Sequence, residues 1–341
     1  MNLRTMRLRM GAWTLVMAAI ATAAGAQDWK RYRVPADAGE GREWRLNEVV
    51  SDDFNYTHKP TTEFATLSDK WTNRYFRGGW EGPGTTEWRR ENVAVAKGNL
   101  WIRATREPGE TKQFVHGVDA DGKPKRLDLP ATRLGCITSI ETVRYPAYIE
   151  AKTKVANAVL ASDIWLLSED STQEIDIQEC YGGRGDDDRA DWFARRLHMS
   201  HHVFIRRPFQ DYQPKDDSTW IVSDRKPKRG RGYWTEKFHR VGVYWKSPTE
   251  LEYYIDGELV KTTSGLDDVD GKGGIDPKGY TKDASGKRTG LSKPMKIVIN
   301  MEAQDWNAAA GRQPTDEELK RTDDHTFKVD WIRVYEPVAK K

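Results

Sequence analysis

Short runs in which apolar and polar residues alternate recur along the whole 341-residue chain, with no long helical period between them. "NLWIRATR", "AYIEAKTKV", "FHRVGVYW", "LEYYIDGELVKTT", "MKIVINME" and "FKVDWIRVY" all follow this pattern. Successive side chains of a strand face opposite ways, so each run offers one face to a core and one to something else. Gly-, Pro- and Asp-rich turns separate the runs, which predicts an all-β sandwich or barrel. Asp256-Gly257 inside "YYIDGELV" marks a tight hairpin, because this pair tolerates positive φ. One helix is expected, over Pro314–Arg321, with Thr315 as its cap and acids in its first turn. Glu107–Gly135, Ser223–Gly232 and Ser264–Gly290 read as long loops, and no repeat or linker divides the chain.

The first 26 residues stand apart. Arg4, Arg7 and Arg9 precede the apolar run "GAWTLVMAAIATAA" and the small residues Ala24–Ala26, the pattern of a secretory leader cleaved before Gln27. The run is too short to span a membrane, so an exported, soluble, monomeric single domain over 27–341 is expected. Without the leader's three arginines the chain holds 52 basic and 52 acidic residues. That balance argues against a partner gathered by net field, nucleic acid above all. Cys136 and Cys180 are too few for a disulfide scaffold, and either a bridge or two buried thiols fits the sequence. Of the thirteen tryptophans outside the leader, roughly two thirds are expected in the core and the rest as platforms for flat, hydroxylated ligands.

"TQEIDIQECYGG" at Thr172–Gly183 carries the chemistry. Glu174 and Asp176 share a strand face, but Glu179 is out of phase by one residue. A β-bulge near Ile177–Gln178 would bring it back and shorten the distance between the two glutamates. Retaining cleavage of a glycosidic bond needs two carboxyl groups about 5–5.5 Å apart, one a nucleophile and one an acid/base. A merely solvated strand would not be flanked by "SDIWLL" and "CYGG", and acids in such surroundings are costly unless they serve a site.

"EIDIQE" resembles the bulged E-x-D-x-x-E signature of glycoside hydrolase family 16. "WEGPGTTEW", "SDIWLLSEDSTQEIDIQECYGG", "SHHVFIRRPFQDYQP", "FHRVGVYWKSP", "LEYYIDGELV", "INMEAQDW" and "VDWIRVY" are similar, in order, to its β-agarase subgroup. The resemblance implies a β-jelly-roll of two curved antiparallel sheets with a substrate cleft on the concave face. It implies a secreted retaining endo-β-agarase acting on the β-1,4 bonds of agarose, a red-algal galactan. Glu174 would be nucleophile, Asp176 its helper and Glu179 the acid/base. Cys180 departs from the small apolar residue expected there and reads as packing on the opposite face.

Trp80 and Trp165 match sugar platforms, although "DIWLL" would equally suit a core indole. His202, Arg206 and Glu302 would bind galactose hydroxyls. No cofactor is implied for catalysis. Asp330 resembles a position that helps to hold structural calcium in many relatives. "HMSHH" invites a zinc site, but strand alternation separates His201 from His198 and His202. The basic run "RKPKRGRGYW" at Arg225–Trp234 could meet sulfate esters. It keeps porphyran- or carrageenan-type substrates as alternatives, with a non-catalytic galactan lectin as the rival of another class.

Overall fold

A computed structural model describes residues 28–183, 188–222, 232–271, 273–322 and 324–341. The leader, residues 225–231 of the basic run and nearly all of the expected loop Ser223–Gly232 lie outside the described residues. Two large sheets face each other. One runs, edge to edge, through Glu258–Ser264, Glu250–Ile255, His239–Ser247, Ala147–Lys154, Thr326–Ala339, Asn99–Thr105, Thr132–Leu134 and Thr86–Trp88. The other runs through Phe209–Tyr212, Arg196–Arg206, Gln173–Tyr181, Ala161–Ser168, Met295–Glu302, Cys136–Val143 and Trp71–Thr72. All of these pairings are antiparallel except that of Thr86–Trp88 with Thr132–Leu134. No helix among the described residues is long and apolar enough to cross a membrane.

Alternation explains how the sheets stack. Ile164, Leu166, Ile175, Ile177, Ile297 and Ile299 point from one sheet into the core, where they meet Ile149, Ala151, Val241, Val243 and Val329 of the other. Each such fully buried Val, Leu or Ile side chain contributes about 1.5–3 kcal/mol. The opposite face of the sheet that holds Gln173–Tyr181 carries Asp163, Trp165, Asn300 and Glu302, also buried, so that face is a covered floor and not a solvated surface. Asp256 and Gly257 have φ of 52° and 89° and close a two-residue hairpin between Ile255 and Glu258, as their sequence predicts. Thr315 caps the helix Asp316–Lys320 in a reciprocal capping box with Glu318.

Two expectations need correction. Most of Glu107–Gly135 is not a loop: Thr111–Val118 and Pro124–Pro130 pair as a separate two-stranded hairpin. Its charged, exposed alternation hid it, because neither face packs on the main core. The arm leans over the cleft edge, where Lys112 Nζ donates to the Gly82 carbonyl at 2.9 Å and His116 Nδ1 lies 2.9 Å from Asp305 Oδ2. Short helices also form over Asp188–Ala194 and Asp305–Ala309, too brief for periodicity to mark them. Ser264–Gly290 is largely irregular, as expected.

Candidate active site

Gln173–Tyr181 lies between Ala161–Ser168 and Arg196–Arg206. Its ladder slips once on each side. Ile164 pairs with Gln178 but Trp165 pairs with Asp176, and Asp176 and Glu179 face Ser200 and His198. Three residues therefore span what two span on the neighbour, which is a bulge at Ile177–Gln178. Ile177 and Cys180 turn into the core while Glu174, Asp176 and Glu179 line one cavity. Gly182 and Gly183 follow because the chain then crosses the 156–159 backbone. A Cβ on Gly182 would stand 1.6 Å from the Ala156 carbonyl oxygen.

The cavity measures about 430 Å³ and continues past Glu174 into a second space of about 570 Å³. The two share Trp80, Trp165, Glu174 and Phe204 and form one long trough. The side chains of Glu174, Asp176 and Glu179 are 15%, 10% and 23% exposed. Burial, then the neighbouring Asp176, raises the Glu174 carboxyl well above its usual range. Burial raises Asp176 as well, against the pull of His202. Glu179 moves the other way. Burial alone would raise it, but hydrogen bonds from His198 Nδ1 (2.8 Å to Oε2) and from the Tyr181 hydroxyl to Oε1 lower it.

His202 Nε2 lies 3.5 Å from Asp176 Oδ2 and 3.9 Å from Glu174 Oε1, and its Nδ1 is 2.9 Å from Asp211 Oδ1. Burial would lower its pKa, but Asp211 and the two acids outweigh that and push it up to about 10. His202 is thus a fixed cation opposite the trio. Glu302 accepts from Asn300 Nδ2 at 2.9 Å and Gln304 Nε2 at 2.6 Å, and burial raises it to about 8.

Each expected binding residue borders the trough, at different depths. Trp80 is 46% exposed at the rim, edge-on to Tyr75 and Trp88. Trp165 is only 8% exposed, donates to Asn300 Oδ1 at 2.7 Å and stacks on Tyr75, so it forms floor more than platform. Arg206 lines the far space, bonded to the Ser171 carbonyl and lying over Phe204 at 4.2 Å. His201 turns away to the Ile275 carbonyl, so the three histidines do not converge. Among the described residues Glu174, Asp176 and His202 alone cluster closely enough to hold a metal. Asp330 does not fit calcium, because Lys152 Nζ sits 2.7 Å from its carboxylate. Both cysteines are free thiols, Cys136 on the cleft side and Cys180 in the core.

Sequence reasoning missed Tyr181, His198, Asp211, Asp163 and the aromatic wall. His202 and Phe204 stack at 5.3 Å, and Phe204 and the 64% exposed Phe209 at 6.1 Å. Phe209 lay in a quoted motif, and an exposed aromatic beside a basic pair was its available signal. Asp211 reaches His202 from a neighbouring strand, which no local pattern reveals.

Paired glutamates on a bulged strand, an open trough and an aromatic rim together define a glycoside hydrolase. Residues 44–337 match the family model described as "Beta-porphyranase A-D, GH16 domain". The chain belongs to glycoside hydrolase family 16. It is 50% identical over 309 residues to a β-agarase of Phocaeicola plebeius, covering 90% of each chain. It is 44% identical over 329 residues to β-agarase B of Zobellia galactanivorans, covering 92% of this chain and 84% of the relative. The structure of an inactivated β-agarase B mutant in complex with agaro-octaose matches with a TM-score of 0.76 at 45% identity, covering 92% of this chain and all of that one. Similarity to β-porphyranase B of Phocaeicola plebeius is lower, 26% over 325 residues, covering 89% of this chain and 87% of the relative.

Proposed function

We propose that this protein is a retaining endo-β-agarase that hydrolyses the β-1,4-galactosidic bonds of agarose by double displacement. The observation that carries the reading is the bulge that turns Glu174, Asp176 and Glu179 onto one cleft face. Glu174 attacks the anomeric carbon while Glu179 gives its proton to the departing glycosidic oxygen. Glu179 then takes a proton from water, whose oxygen attacks the same carbon and releases Glu174. Asp176, between them, and the His202 cation tune Glu174. In the free cleft Tyr181 and His198 favour ionised Glu179, whereas burial leaves the proton with Glu174. The productive arrangement is the reverse, a minority distribution of the protons this cluster shares.

The long trough suits attack inside a polymer, and the greater similarity to β-agarases than to the porphyranase supports agarose as substrate. Trp80 stacks on a pyranose face, while Trp165, His202, Arg206 and Glu302 contact further parts of the chain. The leader supports export, and a cleft built by one chain supports a monomer. Incubation with agarose and with porphyran, followed by product analysis, tests the substrate. Oligosaccharides from agarose with initial β-anomers are expected, and release from porphyran alone would overturn the assignment.

A further inference from the structure

Asp163 holds a central place on the cleft floor that the double displacement leaves unused. Asn300, Asp163, Glu179 and His198 are direct register partners across four adjacent strands. Asp163 is 4% exposed and lines the same cavity as the trio, yet among the described residues neither carboxyl oxygen has a hydrogen-bond partner. Its neighbours are engaged elsewhere: Asn300 bridges Trp165 and Glu302, and Glu179 accepts from Tyr181 and His198.

A buried polar group without a partner costs folding free energy. The strand does not require that cost, because Ala161 and Leu167 occupy the same face two residues before and four after. An acid kept where an apolar residue would pack points to a ligand. The groups facing it make ionisation unfavourable. Glu179, Asp176 and Glu174 approach from one neighbouring strand and Glu302 from the other, and the Cys136 and Cys180 thiols add no cation. The nearby cations serve other groups: His202 pairs with Asp211 and Asp176, and Lys112 donates to backbone carbonyls. Burial and then Glu302 hold the Asp163 carboxyl well above its usual range.

We propose that Asp163 is a substrate-binding residue, a neutral carboxylic acid that exchanges a pair of hydrogen bonds with one hydroxyl of the sugar seated beside Glu179. A protonated carboxyl offers one donor and one acceptor, which is what a hydroxyl needs in return. The assignment rests on the galactan-hydrolase reading and names one further contact within it. A sugar lacking that hydroxyl would leave the acid unpaired and be rejected.

Asp163→Ala and Asp163→Asn test it, by kinetics in the active enzyme and by calorimetric binding of agaro-oligosaccharide in a Glu174→Gln background. Asp163→Ala should lower kcat/KM and affinity about 10-fold, the loss of a hydrogen-bonded pair, while the melting temperature stays level or rises. Asp163→Asn, whose amide also donates and accepts, should stay within about 3-fold of the parent and leave the pH profile in place. Wild-type kcat/KM and affinity in Asp163→Ala would overturn the proposal. So would a fall in melting temperature in both variants, which marks a structural role, or an acid shift of the alkaline limb in Asp163→Asn, which marks an ionised group. An inactive wild type would instead refute the function from which the proposal starts.

Discussion

Tyr181→Phe is the most direct test of how the cleft sets its acid/base. The Tyr181 hydroxyl donates to Glu179 Oε1, while its 2% exposed ring packs against Phe193 at 5.4 Å and Trp306 at 5.3 Å. Phenylalanine keeps those ring contacts and removes one donor. A hydrogen bond to a charged group is worth about 1.5–3 kcal/mol. One pKa unit corresponds to about 1.4 kcal/mol, so Glu179 should rise by about 1–2 units. The sign follows from the charge. The hydroxyl favours ionised Glu179 and holds its pKa below the usual range, so losing it raises the pKa. Glu179 then keeps its proton to higher pH, and because Glu174 holds the higher pKa of the pair, it is the acid limb of kcat/KM that moves up, by at least about one unit. The assay is initial reducing-sugar release from a soluble agaro-oligosaccharide across pH, with substrate well below KM. A limb that stays in place or moves to lower pH would refute the claim that Tyr181 tunes Glu179.

Glu179→Gln should cost about 10²–10⁴-fold in kcat, and azide should restore turnover only if Glu179 is the acid/base. Unchanged activity in Glu174→Gln would contradict the nucleophile assignment. Phe209→Ala should raise KM for long oligosaccharides by about 2–10-fold, the worth of one aromatic contact of about 0.5–1.5 kcal/mol, with kcat nearly unchanged. Glu150→Gln should destabilise the fold by about 3–5 kcal/mol in urea titration. It removes the carboxylate charge that the fully buried Arg333 meets at Glu150 Oε2 (2.7 Å), beside its bond to the Tyr32 carbonyl (2.6 Å). Gly182→Ala should prevent normal folding or lower the melting temperature strongly, because its Cβ would overlap the Ala156 carbonyl.

Local pattern alone determined a good part of this protein. Alternation marked the six quoted strand runs, Asp256-Gly257 marked its hairpin and Thr315 its cap, because each depends on residues close in sequence. The odd spacing of Glu179 from Glu174 marked the bulge, since a strand's period of two leaves no other way to one face. Tertiary structure decided what those acids experience. Asn300, Asp163, Glu179 and His198 come from four strands, and only the register of the packed sheet sets them in one row. The same is true of Asp211 on His202 and of the hairpin arm that reaches Asp305. Whether an acid holds a proton depends on burial and on charges summed over all neighbours, and those neighbours are chosen by folding.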